Sequence, residues 1–206
     1  MWYHQVKILD IVTENHYPDR QLVGVILCGG QSTRMASDKG LLPLNNSIWA
    51  KRAGSKLQLL NIPVVYSINS SQEEAYSAYI QKNELVVDSG TAEGPLRGVL
   101  TASSQFPGKD FLVLACDMLE IQHDTLQLLI DAYQNGSEDF YAFQIGKFYE
   151  PLCAIYRCEG LNKALRHDSK NNLDRMSLQS ILQSGNTKKL QPPRGESFRN
   201  YNTIED

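Results

Sequence analysis

Neither of the two best-known phosphate-loop sequences occurs in this chain. There is no Gly-x-x-x-x-Gly-Lys-Ser/Thr, because Lys39 is followed by Gly40 and Leu41, and there is no Gly-x-Gly-x-x-Gly. The four cysteines, Cys28, Cys116, Cys153 and Cys158, form no Cys-x-x-Cys pair and have no histidine at zinc-like spacing. Cys28, Cys116 and Cys153 sit in or at the end of apolar runs, where cysteine behaves as a small hydrophobe, so they read as structural thiols. His4, His16, His123 and His167 are scattered and support no Ser/His/Asp arrangement. No apolar stretch reaches membrane-spanning length, and the N-terminus has no basic-then-apolar signal pattern; the expected location is the cytoplasm. A formal net charge of −3 offers no broad basic field for nucleic acid, so any phosphate recognition must be local to a cleft.

What is present is an alternation. A chain of 206 residues makes about one domain with room for a substantial core. Short β-type runs at Val23–Leu27, Pro63–Ile68, Leu85–Val87, Phe111–Ala115, Tyr141–Ile145 and Leu152–Tyr156 alternate with helical patterns. The helical patterns cover Ile48–Leu60, Gln72–Tyr79, Leu96–Gln105, Asp124–Asn135 and Leu161–His167. The expectation is a single-domain α/β three-layer sandwich with a mainly parallel sheet covered on both faces. Residues 1–21 form an N-terminal extension to which no chemistry can be assigned, and 22–206 form the domain.

The chemistry starts where the first strand ends. Leu22-Val-Gly-Val-Ile-Leu27 runs into Cys28-Gly-Gly-Gln-Ser-Thr-Arg34 and then Asp38-Lys39-Gly40. Ligands bind at the carboxyl ends of strands in open α/β sheets, and the amides of Gly29 and Gly30 can approach a polyphosphate closely. Arg34 and Lys39 bring two cations to the same loop. Two adjacent glycines alone would suit an ordinary turn; the added cations turn the reading towards phosphate.

Two carboxylates sit at equivalent places. Asp117 follows Phe111-Leu-Val-Leu-Ala115, where it serves either as a ligand for Mg²⁺ or as an N-cap for the next helix. Asp88 ends Leu85-Val-Val87 and begins a loop that reaches Gly94-Pro95-Leu96-Arg97-Gly98, with proline suited to a first helical turn. Asn69 reads as a strand-end turn residue. Asn200-Tyr-Asn202-Thr203 places two amides near the C-terminus, for a polar ring or for a turn.

At Leu27-Cys-Gly-Gly-x3-Arg34-Met35-x3-Lys39 the chain resembles the molybdenum cofactor guanylyltransferases, within the wider nucleotidyltransferase superfamily of Rossmann-like type. Asp88, Gly94-Pro95-Leu96-x-Gly98, Cys116-Asp117 and Asn200-x-Asn202-Thr203 continue the resemblance in order, strongly to about Ile121 and thinly beyond. Cys28, Ser67 and Ile204 stand where the family usually has alanine, asparagine and proline. The resemblance implies transfer of GMP from GTP to the terminal phosphate of molybdopterin, releasing pyrophosphate. It implies Mg²⁺ on Asp117 and catalytic roles for Lys39, Arg34 and Asp117. It implies nucleotide or cofactor contacts from Leu27, Cys28, Gly29, Gly30, Lys39, Ser67, Asp88, Gly94, Pro95, Leu96, Gly98, Asp117, Asn200 and Asn202. Arg175, with Asn171 and Asn172, is placed to meet the cofactor phosphate or to remain solvated. Molybdenum-insertion and acceptor molybdoenzyme proteins are the implied protein partners. Cytidylyl transfer, sugar-1-phosphate nucleotidyl transfer and non-catalytic nucleotide binding are the alternatives.

Overall fold

The computed structural model of the protein describes residues 22–29, 38–168, 176–193 and 198. Expectations placed on residues 1–21, Gly30, Arg34, Asn171, Asn172, Arg175, Asn200 and Asn202 lie outside them. The chain opens with strand β1, Leu22–Leu27. A 3-10 turn at Lys39–Leu41 leads to a small hairpin of β2, Pro43–Leu44, and β3, Ser47–Ile48, turned at Asn45 with φ 53°. Helix α1, Trp49–Gln58, strand β4, Val64–Ile68, a 3-10 turn at Ser70–Gln72 and helix α2, Glu73–Ser77, follow. Then come β5, Leu85–Val87, α3, Gly94–Gln105, β6, Asp110–Ala115, and α4, His123–Asn135. The last described elements are β7, Phe140–Ile145, β8, Phe148–Tyr156, α5, Cys158–Asp168, α6, Leu178–Ser184, and β9, Thr187–Leu190.

Seven strands form one sheet in the order β5-β4-β1-β6-β8-β7-β9. Every neighbouring pair is parallel except the two made by β8, which alone runs backwards. All residues of β1 and β6 are buried, as central strands covered on both faces must be, which is why both read as unbroken apolar runs. On one face Ile26, Leu112 and Leu114 pack with Ala53 and Leu57 of α1 and Leu126 and Leu129 of α4. On the other, Val25 and Val113 pack with Val99 of α3, Leu161 of α5 and Leu182 of α6. The three-layer α/β sandwich is therefore as expected.

Three features were not expected. β8 is antiparallel, and it is joined to β7 by Gly146 and Lys147, with Gly146 at φ 61°, so the pair is a hairpin rather than two strands of a parallel array. β9 carries Lys188 and Lys189 outward and has no buried residue, so it gave no apolar signal. The β2–β3 hairpin is too short for periodicity to register.

Topology decides where a ligand can sit. From β1 the chain moves to β4 and β5 on one side, then α3 carries it back across to β6 on the other. The crevice at such a switch lies beyond the carboxyl ends of the strands, here between β1 and β6. The opposite end of the sheet is closed by polar contacts instead. Asp110, buried, accepts from the Tyr133 hydroxyl at 2.7 Å and from the Cys158 amide at 2.9 Å, tying α4 and the start of α5 to β6. Arg157 lies 5.0 Å from the Tyr133 ring centre and donates to the carbonyls of Tyr133 and Gly136.

Asp110→Ala leaves two partly buried donors without their acceptor and should cost about 1–3 kcal/mol of stability. Urea unfolding measures that loss, and activity per folded molecule should be unchanged, since Asp110 lies at the end of β6 away from the crevice.

Candidate active site

The glycine turn after β1 is held by the next strand. The amides of Cys28 and Gly29 both donate to the Ser67 carbonyl, at 2.9 and 3.1 Å. The Gly29 amide, expected to face a phosphate, is thus engaged within the protein. The glycine instead provides space: a Cβ there would stand 3.1 Å from Asp88 Oδ2 and 3.5 Å from Asn69 Oδ1. Cys28 is buried with Cys116 beside it, and burial pushes its thiol pKa well up, the state of a structural rather than a reactive thiol. Leu27 is buried and its carbonyl accepts from the Cys116 amide at 3.2 Å, closing β1 onto β6 just below the crevice.

Lys39 returns to this turn on the Lys39–Leu41 3-10 turn. Asp38 is the N-cap of that turn, and its carboxylate accepts from the Gly40 amide at 3.0 Å and the Tyr76 hydroxyl at 2.9 Å, and from the Gln72 side chain. Gln72 in turn reaches the Cys28 carbonyl at 3.4 Å. The Lys39 ammonium so positioned donates to Asp117 Oδ2 at 2.9 Å. Asp38, Gln72 and Tyr76 were not singled out from the sequence; only the Asp before Lys39, a capping residue type, carried a local signal.

Asp117 does not cap a helix. α4 begins at His123 with Gln122 as N-cap, well past Asp117. Asp117 follows the strand end in a tight turn, where the Met118 amide donates to the Ala115 carbonyl at 3.2 Å. Lys56 of α1 fixes the loop beyond it, donating to the carbonyls of Leu119 and Ile121. With 9% exposure, Asp117 is a carboxylate held at the crevice rather than in solvent. Among the described residues no group of three His, Cys, Asp or Glu side chains gathers as a metal cage. A hard divalent ion that keeps water and phosphate in its shell needs no cage, and Asp117, which already attracts an ammonium, is the carboxylate placed to meet one.

Asp88 lines the same crevice from β5. Its amide donates to the Ile68 carbonyl at 2.7 Å, and its carboxylate accepts from Ser67 Oγ at 2.6 Å. Ser67 is 1% exposed, so its hydroxyl supports Asp88 instead of opening to the crevice. Burial raises the Asp88 pKa, partly opposed by the Ser67 hydrogen bond and by the Arg97 charge. The loop after Asp88 is tied to α3 by Thr101, which exchanges hydrogen bonds with the Ser89 backbone, while Arg97 donates to the Ala92 carbonyl.

α3 begins at Gly94, which takes φ 58°, and Pro95 sits in the first turn; both are exposed at the rim. Leu96 is buried in the core. Gly98 faces the sheet so closely that a Cβ would fall 2.2 Å from Ser67 Oγ and 2.8 Å from Leu27 Cδ2. The spacing of the two glycines thus serves one positive-φ start and one close helix-to-sheet approach. Leu27, Cys28, Gly29, Lys39, Ser67, Asp88, Gly98 and Asp117 come together in one place, from β1, the Lys39 turn, β4, β5, α3 and the end of β6.

An α/β sheet with this switch point, and with a lysine and an aspartate facing each other across it, is the architecture of a nucleotidyltransferase domain. The chain belongs to the MobA-like NTP transferase domain family, which matches residues 24–187. It is 29% identical over 197 residues to the probable molybdenum cofactor guanylyltransferase of Methanocaldococcus jannaschii, covering 90% of this chain and 96% of that protein. It is 27% identical over 194 residues to the molybdenum cofactor biosynthesis bifunctional protein of Synechocystis, covering 90% of this chain and 52% of the relative, so it spans about half the length of that protein. The crystal structure of molybdopterin-guanine dinucleotide biosynthesis protein A from Archaeoglobus fulgidus superposes with a TM-score of 0.64 at 20% identity, over 82% of this chain and 83% of that one, and shares the fold.

Asp88 yields a pH-dependent prediction. A carboxylate whose folded pKa is raised binds its proton more tightly in the folded state, so it withdraws stability as pH rises from its unfolded value, about 3.9, through the folded one. Asp88→Asn should therefore melt at or above the wild-type temperature at pH 7, and the gain should vanish below about pH 4. Calorimetric melts across pH 3–8 check the sign, and nucleotide affinity at pH 7 should fall in the same variant.

Proposed function

We propose that this protein is a molybdenum cofactor guanylyltransferase, joining the terminal phosphate of molybdopterin to the α-phosphate of GTP and releasing pyrophosphate. The observation that carries the reading is the 2.9 Å pair of Lys39 and Asp117 across the switch point, beside the glycine turn. The relatives' names supply the substrate class; the geometry supplies a place for the transfer.

The reaction suits a site without a placed histidine. The attacking group is a phosphate monoester, with a second pKa of about 6, and is largely dianionic at neutral pH without a general base. A bond forms between its oxygen and the α-phosphorus, and the bond from that phosphorus to the bridging oxygen of the pyrophosphate breaks. The protein must align the two in line and neutralise charge on the transferred and leaving phosphates. Lys39, fixed through Asp38, is the described cation able to turn from Asp117 to a phosphate. Mg²⁺ held by Asp117 would supply the remaining positive charge. Arg97, on the first turns of α3, keeps the loop after Asp88 in place.

Calorimetric titration should give tighter binding of GTP than of CTP or ATP; preference for CTP would assign the protein to cytidylyl transfer instead. Lys39→Ala should lower the rate of GMP transfer by about 10²–10³ while costing roughly 1 kcal/mol of stability, as expected for a partly exposed pair. Near-wild-type transfer by this variant, assayed with GTP, Mg²⁺ and a molybdopterin-bearing acceptor, would falsify the assigned role.

A further inference from the structure

β8 runs antiparallel to β6 with Phe111 opposite Tyr156 and Leu114 opposite Cys153. Three residues past the last pair on each strand come Asp117, in the turn after β6, and Glu150, so both lie beyond the carboxyl end of β6. The ladder ends short of them because Pro151 has no N–H to donate. On its other edge β8 loses step with β7: Ala142 faces Ala154, yet Gln144 faces Tyr149. The extra residues of β8 form a bulge at Glu150-Pro-Leu-Cys153, and bulges re-aim side chains beside functional sites. Glu150 is partly buried there and accepts from the Leu152 amide at 3.2 Å through one carboxylate oxygen; burial raises its pKa, the Leu152 hydrogen bond opposes the rise, and the Asp117 charge adds to it. Neither composition nor motif singles it out.

We propose that Glu150 is a second carboxylate of the active site, acting with Asp117 from the β8 side on the divalent ion that accompanies the nucleotide. The proposal rests on the nucleotidyltransferase reading above. Its physical basis is the position of Lys39, whose ammonium sits on Asp117, together with the bulge of β8 that brings Glu150 to the same end of β6. When the nucleotide phosphates draw Lys39 away, two carboxylates remain at one end of β6, and a divalent ion relieves their repulsion. Mg²⁺ binds through one or two protein carboxylates and fills its other positions with water and phosphate, so a pair suffices. Glu150 acts as a positioning residue: it holds the ion where Asp117 and the phosphates both reach it.

The test uses Mn²⁺ as a paramagnetic probe on the full chain with GTP and no acceptor, followed by electron paramagnetic resonance. Wild type, Glu150→Gln and Asp117→Asn are compared. Glu150→Gln should weaken Mn²⁺ binding in the GTP complex about tenfold, with metal-free GTP binding unchanged. In metal-free buffer it should melt at or above the wild-type temperature, because a like charge has gone, and it should lose most of the rise that Mg²⁺ with GTP gives wild type. Wild-type Mn²⁺ affinity in Glu150→Gln, with Asp117→Asn impaired, overturns this inference alone. A lower metal-free melting temperature with the Mg²⁺-induced rise intact also overturns it, since that is the mark of a packing role. If wild-type protein takes up no Mn²⁺ with GTP, the nucleotidyltransferase reading fails along with it.

Discussion

Six residues of β1 lie in unbroken parallel register with six of β6, from Leu22 opposite Asp110 to Leu27 opposite Ala115. The rest of the site depends on that register. It sets the residue after each strand side by side, so Cys28 meets Cys116, and Asp117 comes level with the glycine turn. Side chains alternate across a sheet, and a slip of β6 by one residue would exchange its two faces and put Asp117 on the wrong side of the turn. Close packing opposes such a slip. Val25 and Ile26, Leu112, Val113 and Leu114 are all fully buried, and each matches a helix on its own face. The chemistry thus inherits its precision from apolar packing that contains no functional group.

A second constraint concerns Lys39. A lysine loses much side-chain freedom when it is fixed, so something must offset that entropy. Asp38 does so by accepting three hydrogen bonds, from Gly40, Gln72 and Tyr76, which join the Lys39 turn to the segment after β4. Tyr76 is fully buried, and both burial and the nearby acidic groups push its hydroxyl pKa far up, so it remains a donor throughout the working range. The cation is aimed by a carboxylate whose own hydrogen bonds all go to the protein. An Asp directly before a Lys in sequence would ordinarily be taken for a solvated pair.

The legibility of the molecule follows from this division. β1 and β6 were visible because a strand buried on both faces must be apolar throughout, and the ends of such strands mark the crevice. Asp117 was visible as a carboxylate at one of those ends, though only the structure separates it from a helix cap: α4 starts at His123, next to the Asp124 expected, and Gln122 is its N-cap. Ser67 was legible as a substitution but not in its role: support of Asp88 under Gly98 is a contact between residues far apart in sequence. β9 was not legible, because an edge strand bearing two lysines has no period to detect. Glu150 was not legible either, since its place depends on the register and bulge of an antiparallel strand that local pattern did not reveal.

The described part of the crevice gathers Asp38, Asp88, Asp117 and Glu150 against Lys39 and Arg97. That balance is an unusual one for a site proposed to hold a polyanion. Asp38 is committed to backbone and neutral donors, and Asp88 takes the Ser67 hydroxyl. Asp117 and Glu150 are, on the proposed reading, the carboxylates that meet the metal, and a cation between them and a triphosphate offsets the repulsion. On the proposed reading, metal dependence follows from the electrostatics of the crevice itself, before any catalytic argument is made. It also accounts for the Lys39–Asp117 pair: the ammonium holds the carboxylate in place and screens its charge.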